Sequence, residues 1–185
     1  MLCPFYGRFK VTSPRGYRIL NGKREYHGGL DLVALDSSAV HSISDGTVEP
    51  TPYETNGFGW YVRVRLDNGN RIYYGHLADK PLVSGGRIKA GTLLGYMGMT
   101  GNSTGAHTHL ELRGKGYDKT SLDISEYTGI PNKIGVYYSD NEFLDIEEQW
   151  KLLQEKCGFE QQTIEYLKAY QYSNDLLLKL LKQMA

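Results

Sequence analysis

The sequence predicts a mainly β protein: an antiparallel β-sheet domain over residues 1–139, followed by a small helical bundle over residues 140–185. Three observations carry this reading. Short runs rich in β-branched and aromatic residues recur at close spacing, separated by Gly, Pro, Asn and Asp turns. The 22 glycines among 185 residues suit a compact, turn-rich β fold. Beyond about residue 139 the apolar spacing changes from period two to period 3.6.

Residues 8–20, RFKVTSPRGYRIL, mix a short strand with the turn Ser13-Pro14-Arg15-Gly16. Lys23, Arg24 and Glu25 lead into Tyr26-His27, and residues 30–34, LDLVA, read as a buried strand. Residues 39–43 precede Asp45-Gly46, a turn that opens Thr47-Val48; His41 is expected there at a solvent-facing position without a functional role. A long hairpin follows. Residues 60–66 alternate and are rich in Val, Tyr and Trp, Asp67-Asn68-Gly69-Asn70 turns, and residues 71–74 return. Residues 83–91 read as loop and turn, and residues 93–98 as a further strand. In the C-terminal module, Asp145-Ile146-Glu147-Glu148 opens a helix through Trp150, Leu152, Leu153 and Cys157 that Gly158 stops. A second helix carries Ile164, Leu167 and Tyr170 on one face, and Ser173 caps a third with Leu176, Leu177, Leu180 and Leu181. Such a module suits targeting, virion docking or homodimerisation, or simple packing on the rest of the chain.

Length and charge bound the function. No apolar run approaches 18 residues, so no transmembrane helix is expected. The first residues lack the basic start and apolar core of a secretory signal, which points to a trimmed chain or to release without that signal. Cys3 and Cys157 read as unrelated thiols, and no Cys-x-x-Cys motif suggests a structural zinc site. Lys and Arg balance Asp and Glu at 21 each. The mild basic excess before residue 140 suits an anionic polymer such as cell wall and falls short of a nucleic-acid-binding signature.

The chemistry lies in the histidines. Along a strand through Gly101-Asn102-Ser103-Thr104-Gly105-Ala106-His107-Thr108-His109, residues His107, His109 and Glu111 face one way while Thr108, Leu110 and Leu112 face the other. His27-Gly28-Gly29-Leu30-Asp31 sets an imidazole and a carboxylate four apart, with glycines that allow close approach. Tyr74-Gly75-His76-Leu77 adds a further histidine at a strand end. A catalytic zinc ion takes three ligands from His, Asp or Glu and leaves a fourth position for water, and the chain has the parts for such a site with histidines left over. Glu111 reads either as a support for a ligand imidazole or as the partner of a nearby cation. Asn102 and several aromatics, Tyr26, Tyr53, Phe58, Trp60, Tyr61, Tyr74 and Tyr96, are candidates for a substrate groove, most of the aromatics being better suited to packing.

These three motifs, taken in chain order, resemble the lysostaphin/LytM-type zinc metallopeptidases. The resemblance also takes in Ser13-Pro14-Arg15-Gly16, Asp45-Gly46-Thr47-Val48 and Gly85-Gly86-Arg87-Ile88-Lys89-Ala90-Gly91, and covers roughly residues 8 to 115. It implies that His27, Asp31 and His109 bind Zn2+ while His107 and His76 flank the open position, His107 as general base and His76 as transition-state stabiliser, or the two exchanged. None of the five is replaced. The implied function is a zinc endopeptidase that hydrolyses stem or cross-bridge peptides of bacterial peptidoglycan, acting extracellularly at the wall as a phage lysin or wall-remodelling enzyme. The alternative is a noncatalytic peptidoglycan-binding or hydrolase-activating protein that keeps the fold.

Overall fold

A computed structural model describes residues 2–20, 22–115, 121–139, 150, 154 and 157–169. In chain order the strands are β1 (Gly7–Ser13), β2 (Gly16–Leu20), β3 (Lys23–His27), β4 (Leu30–Ala34), β5 (Ala39–His41), β6 (Gly46–Glu49) and β7 (Trp60–Arg65). They continue with β8 (Arg71–Leu77), β9 (Gly86–Ile88), β10 (Leu93–Tyr96), β11 (Thr108–Arg113), β12 (Ser121–Leu122) and β13 (Gly135–Ser139). Two helices are described, α1 (Ile124–Thr128) and α2 (Gln161–Lys168).

The main sheet is antiparallel, in the order β13-β1-β4-β11-β8-β7-β6-β9, with β12 paired to β11 off this path. Two ribbons complete the architecture, β10 with β5 and β2 with β3. Alternation decides which side of the sheet is filled. Phe9 and Val11 of β1, Leu30 and Leu32 of β4, Ile72 and Tyr74 of β8, and Leu110 and Leu112 of β11 all enter one core cluster. The opposite face of β11 carries His109 and Glu111, so the core holds the mounting of the site without occupying it. β8 lies between β11 and β7 with all seven residues buried.

The chain divides into two units, Met1–Asn141 and Glu142–Ala185. In the second, Trp150 and Ile164 of α2 form a small buried cluster to which Cys157, Phe159 and Leu167 add partly buried surface. Most of the first expected C-terminal helix and all of the third lie outside the described residues. No described helix is long and apolar enough to cross a membrane.

Two local expectations are corrected, and one strand is added. Residues 86–88, expected within a loop, pair with β6 as an edge strand. His41 is buried instead of facing solvent: the N-terminal segment covers it, with the Pro4 carbonyl accepting its backbone N–H at 2.8 Å and the Tyr6 ring meeting it edge-on at 4.5 Å. Burial pushes its pKa down to about 4 against the pull of the Pro4 carbonyl, so it is a neutral core residue at pH 7. Gly135–Ser139 pairs with β1 across more than a hundred residues of chain, a contact without any local signal.

Candidate metal centre

Strand register brings the expected ligands together. In the β4/β11 pair His109 lies opposite Asp31. His27 ends β3, and Gly28 and Gly29 carry the chain from that ribbon into β4. Gly29 is required by its close approach to the Leu110 backbone, and a side chain on Gly28 would displace the Glu111 carboxylate. A Cβ on Gly28 would lie 2.6 Å from Glu111 Oε1, and one on Gly29 would lie 2.9 Å from His109 Nε2. Across β8, Gly75 sits opposite His109.

His76 comes to the same place by a different device. Between Trp60↔Leu77 and Val62↔Tyr74 the β7/β8 register slips, leaving an extra residue on β8. His76 adopts φ 60, the only non-glycine residue with positive φ among those described. A bulge in this left-handed conformation bends the strand and re-aims the side chain toward the cleft. The backbone around it is satisfied, with His76 N–H donating to the Phe58 carbonyl at 2.7 Å and its carbonyl accepting from Gly98 at 2.9 Å.

His27, Asp31 and His109 lie together, buried, while His76 and His107 stand beside them. His27 Nε2, Asp31 Oδ1 and His109 Nδ1 form a triangle with edges of 3.1, 2.9 and 3.0 Å. Tetrahedral ligands about 2.05 Å from one zinc ion stand roughly 3.3 Å apart, so the triangle is close to what such an ion takes. The tautomers agree. His27 Nδ1 lies 2.8 Å from the Pro14 carbonyl, which can only accept, so Nδ1 carries the proton and Nε2 presents its lone pair. His109 Nε2 faces Glu111 Oε2 at 3.2 Å, which leaves Nδ1 for the triangle. Three lone pairs thus meet at one buried point, and a cation satisfies all of them. The donor set fits zinc.

Charge within the cluster follows the same logic. Burial opposes a charge on Asp31, but the imidazoles of His107, His109 and His27 outweigh it and hold the carboxyl far below the usual carboxylate range. Burial likewise opposes a charge on His109, yet hydrogen bonds to Asp31 and Glu111 prevail and push its pKa up to about 9. At pH 7 His109 therefore carries a proton shared between the two carboxylates it faces, Asp31 and Glu111. Glu111 is pulled down to about 2 by His109 and Arg113 in spite of its burial. It contacts both His109 and a nearby cation, since Arg113 donates to it at 2.9 and 3.0 Å.

The two flanking histidines share one pattern. His107 Nδ1–H donates to the Gly105 carbonyl and His76 Nδ1–H to the Thr100 carbonyl, each at 2.8 Å. Each therefore keeps Nε2 as the nitrogen not taken up by a backbone carbonyl. His107 Nε2 lies 3.4 Å from Asp31 Oδ1, and the two rings stand 4.6 Å apart. Burial lowers the His76 pKa to about 4, so at pH 7 it is an acceptor.

A cleft of about 880 Å³ opens over the cluster, with Phe58, Tyr61, Asn102 and Ser103 on its walls. Of the candidate aromatics, Phe58 and Tyr61 line it, whereas Tyr74 is wholly buried and its hydroxyl accepts from Ile43 N–H at 2.9 Å. Sequence reasoning missed Tyr73 and Arg18, which also line the cleft. Tyr73 was legible from alternation with Arg71 in a strand already read; Arg18 had no local signal.

Residues 25–121, 97 of 185, match peptidase family M23. The chain belongs to that family. Among M23 relatives, the peptidoglycan DD-endopeptidase ShyC of Vibrio cholerae is 35% identical over 113 residues, which are 60% of this chain and 26% of ShyC. The glycyl-glycine endopeptidase ALE-1 of Staphylococcus capitis is 30% identical over 138 residues, 64% of this chain and 38% of ALE-1. The chain thus spans well under half the length of these curated relatives. Among solved structures, the catalytic domain of the prophage-encoded M23 protein EnpA from Enterococcus faecalis aligns with a TM-score of 0.57 at 28% identity, covering 65% of this chain and 93% of that one.

Proposed function

We propose that this M23 chain is a zinc-dependent endopeptidase that hydrolyses peptide bonds of bacterial peptidoglycan, acting outside the membrane at the cell wall. The observation that carries the reading is the convergence of His27 Nε2, Asp31 Oδ1 and His109 Nδ1 beneath a cleft that two further imidazoles, His76 and His107, also line. The named activities of ShyC and ALE-1, a DD-endopeptidase and a glycyl-glycine endopeptidase, support peptide links of the wall as the substrate class.

When bound by these three residues, zinc would lower the pKa of a water molecule toward about 7 and polarise the scissile carbonyl. The chain supplies the rest. His107 takes the proton of the attacking water on Nε2, its other nitrogen being fixed by the Gly105 carbonyl, and then returns a proton to the leaving amine. His76 Nε2, an acceptor at pH 7, would orient the attacking water; in the exchanged arrangement it would take that water's proton and donate it in turn to the oxyanion. Burial of the cluster strengthens each of these interactions.

Turbidity loss of purified cell walls, with chelator and then with zinc restored, tests the reading. Lysis is expected to vanish and return, and lysis that ignores chelation overturns it. Asp31→Ala should lose the metal. His107→Ala and His76→Ala should keep it and lose on the order of 100-fold or more in turnover. If His76→Ala alone abolishes the acid limb of the pH profile, the two roles are exchanged.

A further inference from the structure

Asp31 has two oxygens, and the metal reading uses one. Oδ1 receives all three imidazoles, with His109, His27 and His107 at 2.9, 3.1 and 3.4 Å. Oδ2 is engaged from another direction. Arg18 Nη1 donates to it at 3.2 Å and to Ser13 Oγ at 2.7 Å, while Arg18 Nε donates to Glu25 Oε1 at 2.7 Å. Arg18 and Glu25 are paired residues of the β2/β3 ribbon, so the guanidinium is held across that ribbon before it reaches the carboxylate. Ser13 Oγ also lies 3.5 Å from His27 Nδ1, placing Arg18 in contact with the surroundings of two ligands.

We infer that Arg18 is a positioning residue for the metal centre: it occupies Asp31 Oδ2 and so fixes Oδ1 as the single ligand oxygen. An unrestrained carboxylate can turn to offer both oxygens to an ion, which uses a second coordination position and closes the place that water needs. A planar guanidinium with several donors can hold Ser13, Asp31 and Glu25 at once; a lysine ammonium cannot reach all three in that arrangement. Glu25 sets the rotamer of Arg18 and acts one step further out. The inference rests on the proposed zinc site, and Arg18 itself touches neither the metal nor the reacting atoms.

Zinc affinity by competition with a chromophoric chelator, on the full chain, is the direct test. Partners of ligand side chains at this remove are typically worth 10–100-fold in metal affinity. Arg18→Ala is expected to weaken zinc by that factor, Arg18→Lys by less, and Glu25→Ala in the same direction as Arg18→Lys. Cobalt-substituted Arg18→Ala should show weaker visible absorption than the cobalt-substituted parent, as the coordination number rises. The metal-free circular dichroism spectrum of each variant is expected to match the parent, and Arg18→Lys and Glu25→Ala carry the test if Arg18→Ala does not fold. Zinc affinity of Arg18→Ala within twofold of the parent, with a raised KM instead, makes Arg18 a substrate contact and overturns the inference. A parent chain that binds no zinc overturns the metal reading itself, an outcome distinct from the first.

Discussion

His109 shows how much of the centre one side chain decides. Its two nitrogens face two carboxylates, Asp31 at 2.9 Å and Glu111 at 3.2 Å, and in the metal-free protein its pKa rises to about 9. A metal ligand must give up that proton, so zinc uptake should release close to one proton at pH 7, and apparent affinity should climb by up to tenfold per pH unit until about pH 9. Titration calorimetry in buffers of different ionisation enthalpy measures the proton count. The stability of the metal-free protein should run the other way. A folded-state pKa raised above the ordinary 6.5 contributes stability that is complete below that pH and is lost as pH rises through about 9. The urea midpoint of chelated protein is therefore expected to fall over that interval, while zinc-loaded protein shows no such fall. Glu111→Gln retains the shape but not the charge and should weaken zinc by roughly 10–100-fold, measured by chelator competition. The sequence could place Glu111 on the face of His109 by alternation alone. It could not show that Arg113, two residues on, grips the same carboxylate, because that depends on how the guanidinium folds back between the Phe58 and Tyr73 rings at 5.2 and 4.5 Å.

Elements put these side chains in register, and here the legibility of the sequence was uneven. His109 opposite Asp31 is a cross-strand pairing, and the short Gly-flanked strands carrying each were readable from alternation and turn chemistry. The β7/β8 hairpin was readable for the same reason, yet its bulge was not: His76 is an ordinary strand-end residue until the register slips and its backbone enters the left-handed region. β9 and β13 were missed because edge strands of three and five residues owe their conformation to partners distant in the chain. The burial of His41 has the same non-local origin. At Gly29 the requirement is sharper than a turn preference. Any side chain there meets His109 and the Leu110 backbone, so Gly29→Ala must push β4 and β11 apart. Overpacking of this kind costs about 1–3 kcal/mol, which equilibrium urea unfolding should register as a lower midpoint at unchanged slope, together with weakened zinc binding.

At the scale of the first unit, the three proposed ligands come from two kinds of structure. Asp31 and His109 belong to neighbouring strands of the main sheet, held by the apolar core beneath them. His27 belongs to the β2/β3 ribbon, whose residues are mostly exposed, with Tyr17 and Ile19 among the most exposed apolar side chains described. The ribbon therefore has little core of its own, and it is tied to the sheet by His27 to Asp31 and His109, by Arg18 to Asp31, and by Arg15 to Ser121 and Asn132. A bound ion is in effect a clip between a weakly packed ribbon and a strongly packed sheet, so the stability it adds should be distributed unevenly. Hydrogen exchange with and without chelator tests this. Chelation should speed exchange of the amides in residues 16–27 by an order of magnitude or more, while those of β8 and the core-facing positions of β11 change little. Uniform acceleration across both would mean that the ion stabilises the unit as a whole. The ribbon's opening would then be no separate event.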